Sequence, residues 1–325
     1  MLQLGYTLSA EEQGPEELVR LGRVAEEAGF DFATVSDHFH PWTSTQGNSP
    51  FVWSVLGGIA STTDRIRVGT GVTCPLIRIH PAIVAQAAAT VAAMMPGRFF
   101  LGVGTGENLN EHITGERWPS ASERRAMLLE AIEVIRRLWG GEVVEHLGEH
   151  YEVIDAQLFT VPEEPPPIYV AAAGTKAAEM AAEIGDGLIG TAPKQELIQA
   201  FDGAGGHGPK LGQVTVCWAQ DERTAIETAM RYWPTAALQG ELTQELPLPR
   251  HFEQAAEMVT EDQIAKVIVC GPDPARQVEM VRRYEAAGYD HVTIHQVGPD
   301  QEGGIGFLAE QVLPELRRAD ARKAS

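Results

Sequence analysis

Phe99-Phe100-Leu101-Gly102-Val103-Gly104-Thr105-Gly106-Glu107-Asn108 reads as an apolar strand running into a glycine-rich turn. After a first strand, such a turn would point to a doubly wound, dinucleotide-binding sheet. Here it follows the fourth. Upstream, strands are expected at 2–8, 32–36 and 66–73, and helices at 15–28, 51–62 and 81–95; Pro15 and Gly29 bracket the first helix. Downstream, a helix at 122–139 sets Leu128, Ile132, Ile135 and Trp139 on one face. A hairpin excursion around Gly148 is expected at 143–154. Strand–helix pairs then resume at 168–172 with 176–184, 187–191 with 195–201, and 214–219 with 223–238. A short extra strand at 267–269 precedes a helix at 274–287, and a strand at 291–296 with a helix at 306–318 closes the series. Eight such pairs without a switch in order predict an α/β fold, a (β/α)8 TIM barrel filling 1–318 as one domain. An open Rossmann-like sheet is the alternative. Insertions are expected near 140–155 and in the Pro-rich, acidic 240–262, and the tail 319–325 is expected to fray.

Hydrophobic residues make up 44% of the 325 positions and charged ones 22%, which excludes collagen-like and disordered classes. Lys and Arg total 25 against 45 Asp and Glu, a net charge of −20 that repels phosphate backbones and anionic lipid. Neither nucleic acid nor membrane is an expected partner. No apolar run approaches the roughly 18 residues of a membrane helix, and no signal-type leader opens the chain, so a cytoplasmic location is expected. Cys74, Cys217 and Cys270 lack any C-x-x-C spacing, which argues against a disulfide framework or structural zinc.

Barrel chemistry sits at the C-terminal ends of the strands. The second strand ends in Ser36-Asp37-His38-Phe39-His40-Pro41-Trp42, where a core needs neither the imidazoles nor the carboxylate. They read as a reactive cluster or, more simply, as a capping Asp with solvent-facing histidines. His-x-His could also bind a metal, with His295 as a further ligand, but the other strand ends offer only Cys74, Glu107 and Thr191. No metal is expected. The turn 102–107, with Glu107 and Asn110, suits a bound cofactor, a tight solvated turn being the simpler alternative. Ala171-Ala172-Ala173-Gly174-Thr175-Lys176 leads small residues into a helix N-terminus, a plausible phosphate site. Lys194 brings a cation to the same rim, and Gly69 and Gly71 mark a bulge or close approach in the third strand.

Taken together, Ser36-Asp37-His38-Phe39-x-Pro41-Trp42, Gly69-Thr70-Gly71-Val72, Gly102-Val103-Gly104-Thr105-Gly106-Glu107-x-Leu109-Asn110-Glu111 and Gln263-Ile264-Ala265-Lys266 resemble the luciferase-like superfamily. Within it, the chain is most similar to deazaflavin (coenzyme F420)-dependent glucose-6-phosphate dehydrogenases over almost its whole length. The resemblance implies a homodimeric barrel oxidoreductase with the deazaflavin at the C-terminal mouth and a non-proline cis peptide at Gly71–Val72. Carried over by position, Asp37, Gly71, Val72, Cys74, Thr105, Gly106 and Asn110 would line the cofactor, and Ala173, Gly174 and Thr175 would hold its phosphate. His38 and Glu107 would be the catalytic pair, with Trp42 and Glu11 close to the substrate. His38 would take a hydroxyl proton, and Glu107 would protonate the ring nitrogen.

The family's sugar-phosphate grip uses three cationic positions. Lys194 matches the first, whereas the others fall near Glu245 and Leu246 and at Val267, so a dianionic sugar phosphate is expected to bind poorly. The substrate implied is a secondary alcohol or a sugar hydroxyl. The cofactor's own phosphate and glutamate tail must be held by local donors against the global field: the backbone of Thr105–Glu107, the helix start after Gly174, and Lys176. An FMN-dependent monooxygenase and a non-catalytic deazaflavin-binding barrel are the alternatives.

Overall fold

The computed structural model describes residues 2–238 and 240–324. Its strands are β1 (Gln3–Leu8), β2 (Phe32–Val35), β3 (Arg67–Thr70), β4 (Phe99–Val103), β5 (Val144–Leu147), β6 (Glu152–Ala156), β7 (Ile168–Ala171), β8 (Gly187–Gly190), β9 (Lys210–Cys217), β10 (Val269–Cys270) and β11 (His291–Gln296). Parallel pairings run β1-β2-β3-β4-β7-β8-β9-β11 and return from β11 to β1, closing an eight-stranded barrel. β10 adds to the edge of β9, and β5 and β6 form the separate antiparallel hairpin. Helices such as Pro15–Glu27, Pro81–Met94 and Ala121–Trp139 turn their apolar faces onto the strands, which places the main core between helices and barrel.

Successive side chains of a strand point to opposite faces. On β2 the inward positions are Phe32 and Thr34, continued by Ser36 and His38 in the loop. Phe32, Phe100, Tyr169, Ile189 and Leu211 pack as a separate buried cluster, with Phe100 stacked on Tyr169 at 4.9 Å. One step up, the hydroxyl of Thr7 lies 3.2 Å from that of Thr34 and 2.9 Å from that of Thr293. The interior therefore turns from apolar to polar toward the C-terminal mouth.

The glycines of the fourth strand serve this packing rather than opening to solvent. A Cβ on Gly102 would lie 2.0 Å from the Thr70 carbonyl oxygen, one on Gly104 2.9 Å from Val72 Cγ2, and one on Gly106 2.5 Å from Cys74 Sγ. Alternate glycines thus admit alternate residues of the neighbouring chain, and Gly106 also takes a left-handed φ of 71°. Gly69 makes room for the Phe100 ring in the same way. The Gly71–Val72 peptide is cis.

Several boundaries differ from the sequence reading. β9 begins at Lys210, not 214, because Gly212 lets the strand pass under the Tyr284 ring where a Cβ would lie 2.4 Å away. The following helix stops at Tyr232, since Pro234 cannot continue it and starts a 3-10 turn. β3 stops at Thr70, and Thr73 makes only an isolated bridge to Val103. The extra strand lies at Val269–Cys270, after a helix that runs through Val267. The last helical run starts at Gln301 behind an Asp300 cap, and a helix continues over Leu313–Ala324 through the tail expected to fray. Ser325 lies outside the described residues. In the acidic insertion the structure has short helices at Leu242–Glu245 and Pro249–Ala256.

Gly102→Ala should lower stability by roughly 1–3 kcal/mol or prevent folding, because backbone and not a flexible side chain blocks the new methyl. Gly174→Ala, where a Cβ would meet nothing within 4 Å, should leave the melting temperature nearly unchanged. Equal melting temperatures for the two variants would refute the packing account.

Candidate active site

Period-two alternation carries His38 to the mouth directly above Ser36 and the threonine layer. Its Nδ1 lies 3.2 Å from the His40 carbonyl oxygen and its Nε2 3.4 Å from Glu11 Oε1. Both neighbours are acceptors, so a ring that has taken up a proton has a partner for each N–H. Trp42 packs against the ring at 5.1 Å. Glu11 is itself buried, and its Oε2 accepts from Ser36 at 2.6 Å and from Ser9 at 3.0 Å. Burial works to raise the Glu11 carboxyl, yet His38, the Ser36 hydroxyl, its own backbone and His295 together hold it below the ordinary value. Glu11 therefore sits beneath His38 as a fixed carboxylate, the oriented base–carboxylate arrangement of acid–base sites.

Asp37 faces the opposite way. Its Oδ1 accepts from Arg78 Nη2 at 2.8 Å and its Oδ2 from the Thr73 hydroxyl at 2.8 Å, and its side chain is 0% exposed. These bonds tie Asp37 to the loop after β3. Arg78 also lies 3.5 Å from Glu111 Oε1, while Glu111 Oε2 accepts from the Arg78 backbone N–H at 2.8 Å. Burial raises the Glu111 carboxyl despite this neighbour. Arg78 escaped the sequence reading, although a lone cation inside Cys74-Pro75-Leu76-Ile77-Arg78-Ile79 is a signal of pairing. Cys74 lies buried under Gly106, its thiol pushed up by burial and by Glu111 and Glu107, so it too supports the loop from below.

Glu107 caps the short helix Asn108–Glu111 and remains half-buried at the mouth. Its Oε2 accepts from Asn110 Nδ2 at 3.4 Å. Asn110 Oδ1 accepts from the backbone N–H groups of Phe39 and His40 at 2.9 and 3.1 Å, so this buried amide ties the loop after β4 to the loop after β2. His38 and His40 diverge: His40 Nδ1 lies 2.8 Å from the Leu109 carbonyl oxygen, and its ring stacks on His112. Among the described residues, no group of three or more His, Cys, Asp or Glu side chains is arranged to hold a metal ion.

The acidic insertion, expected near the barrel mouth, supplies a wall there, through residues the sequence reading did not single out. Phe252 meets Trp42 edge-on at 5.2 Å, Glu253 accepts from the Ser44 N–H at 2.8 Å, and Asn108 donates to the Glu245 carbonyl oxygen at 2.9 Å. Across the mouth, Ala173, Gly174 and Thr175 are exposed ahead of the helix Thr175–Ile184, whose first N–H groups have no partner within the helix. With open space at Gly174, that turn has the donors and the room a phosphate needs. Val72, Thr105 and Gly106 are half-buried at the mouth, so they and the turn fit a flavin-like group carrying a phosphate. Lys194 is exposed at the start of the helix Gln195–Gly203.

A closed barrel with an imidazole–carboxylate pair at its C-terminal mouth defines the class, and residues 2–294 match the model of the luciferase-like monooxygenase family. The chain belongs to that family. It is 38% identical to an F420-dependent glucose-6-phosphate dehydrogenase of Tsukamurella paurometabola, covering 97% of this chain and 98% of that one. It is 39% identical to the protein of the same name from Mycobacterium avium, covering 98% of each. The solved structure of an F420-dependent secondary alcohol dehydrogenase in complex with an F420-acetone adduct superposes with a TM-score of 0.89 at 30% identity, over 97% of this chain and 99% of that one.

Behind the site, Glu12 accepts from Trp233 Nε1 and, at 2.7 Å, from the Gly298 N–H. Burial, with Glu11 adding to it, raises its carboxyl from 4.5 to about 7 against these two bonds. His295, edge-on to Trp233 at 4.6 Å, is lowered by burial from 6.5 to about 4, opposed by Glu11. The Glu12 contribution favours the folded state at low pH and is lost as pH rises from 4.5 through 7. The His295 contribution is present above pH 6.5 and is lost as pH falls toward 4. The two slopes oppose each other, so Glu12→Gln should expose the His295 term. Its melting temperature should fall more steeply than the wild type's on acidification from about pH 6.5 to 4.5. Parallel profiles would show that Glu12 titrates as an ordinary carboxyl.

Proposed function

We propose that the protein is a coenzyme F420-dependent oxidoreductase acting on the CH–OH group of a secondary alcohol or sugar, in either direction. The observation that carries this is the oriented pair His38–Glu11 at the barrel mouth, on a chain 38% identical to F420-dependent dehydrogenases. When bound, a deazaflavin supplies a carbon centre that accepts or donates hydride, which leaves the protein the proton handling and the orientation. With its Nδ1–H donating to the His40 carbonyl oxygen, His38 takes the hydroxyl proton at Nε2 as the carbonyl forms, and the Glu11 carboxylate 3.4 Å from Nε2 holds the charged ring. Glu107, kept at the mouth by Asn110, supplies the proton needed where negative charge develops. Trp42, fixed by Phe252, forms the flat wall against which the substrate carbon is held.

Val72, Thr105, Gly106 and the Ala173–Thr175 turn would contact the cofactor, with Asp37, Cys74 and Asn110 holding those loops in place. Lys194 would meet an anionic substituent of the substrate. The lone matching cation supports a preference for uncharged alcohols. The same reading carries a cytoplasmic homodimer, whose mass light scattering would give directly.

His38→Ala should still bind the coenzyme but lose turnover by about 10²–10⁴-fold with an alcohol the parent oxidises. Turnover near wild type would end the assignment of His38 as the base. Glu107→Gln should slow coenzyme reduction more than it weakens alcohol binding; the opposite pattern would make Glu107 a binding residue. Lys194→Ala should leave coenzyme affinity alone and weaken only substrates that carry an anionic group, as a comparison of glucose with glucose 6-phosphate would read.

A further inference from the structure

A groove of about 740 Å³ runs down the outside of the barrel between the helices Ala121–Trp139 and Thr175–Ile184. Arg125 and Lys176 line its upper end, and Leu129 and Met180 its floor. Lys176 directly follows Thr175, so the groove opens off the phosphate-sized turn at Gly174. The two cations are uncommon for this surface. The chain carries 25 Lys and Arg against 45 acids, and neighbours such as Arg136 and Arg137 are paired with Asp186 and Glu133. Arg125 and Lys176 take part in no ion pair among the described residues.

Resting on the deazaflavin reading above, we propose that this groove receives the carboxylate-bearing tail of the coenzyme, with Arg125 and Lys176 meeting its first glutamyl carboxylates. A phosphate seated on the helix N-terminus brings the chain beyond it out at the rim, where the groove is the adjoining concave path and its upper end has the complementary charge. Apolar floor residues suit the methylene segments of such a tail. The groove also limits the tail. Glu179 and Glu183 follow Lys176 at about one-turn intervals of ~5 Å down the same helix face, and both line the groove. Carboxylates beyond the first turn therefore meet like charge and turn out to solvent. Affinity should rise on adding a short tail and gain nothing from a long one.

The test is equilibrium binding, read by quenching of deazaflavin fluorescence, with no turnover required. The probes are a deazaflavin 5′-mononucleotide without a tail and short- and long-tailed forms of the coenzyme. The double variant Arg125→Ala/Lys176→Ala should bind both tailed forms about tenfold more weakly, as expected for two exposed charge contacts, and the mononucleotide as well as wild type does. Glu179→Lys should raise affinity for the long-tailed form alone. Equal losses for mononucleotide and tailed forms would assign the cations to the phosphate and overturn the tail site while leaving the deazaflavin reading intact. Unchanged binding of the tailed forms would overturn it as well. A wild-type protein that binds none of the three probes would end both readings together.

Discussion

Closure of the barrel admits to its interior only every second residue of each strand, and the rest of the molecule is arranged around that restriction. Along the chain through β2, Phe32, Thr34, Ser36 and His38 face inward in turn, so one strand contributes the apolar plug, the hydroxyl layer, the support for Glu11 and the imidazole at the mouth. The same alternation sends Asp37 outward, where it meets Arg78 at 2.8 Å. Moving the register by one residue would exchange the roles of His38 and Asp37 and put a carboxylate above the threonine layer.

Two loops must be held together for the mouth to work, and buried polar groups do it. Arg78 lies between Asp37, beside His38, and Glu111, on the short helix behind Glu107. Asn110 spans the same gap through the backbone of Phe39 and His40. Groups of this kind are costly to bury alone and gain only when each has a partner. Removing the Arg78 side chain would leave two buried carboxylates without their shared cation.

Much of the architecture was legible because its signals are local and repetitive. The eight strand–helix pairs follow from apolar strands and from helices such as Pro15–Glu27 and Pro274–Ala287, each with Pro at its start and a glycine at its end. The failures are equally physical. Lys210–Gly212 resembled a loop because its Pro, Lys and Gly neighbours depress strand propensity, while the Tyr284 ring lying over Gly212 was a tertiary contact that no local pattern reveals. The helices of the acidic insertion, Leu242–Glu245 and the Pro-started Pro249–Ala256, are too brief for periodicity to register.

By itself the sequence determined the barrel and the placing of His38, Glu107 and the Gly174 turn at the C-terminal ends of its strands, because strand period and turn chemistry are properties of neighbouring residues. Only the tertiary structure decided which groups face the cavity and which lie under it. It tied Asn110 to the loop after β2, brought Phe252 against Trp42, paired Arg78 with two carboxylates, and set Arg125 and Lys176 along one groove. Those outcomes depend on atoms far apart in the chain competing for the same buried space, and on charges whose partners are chosen by the fold and not by their spacing.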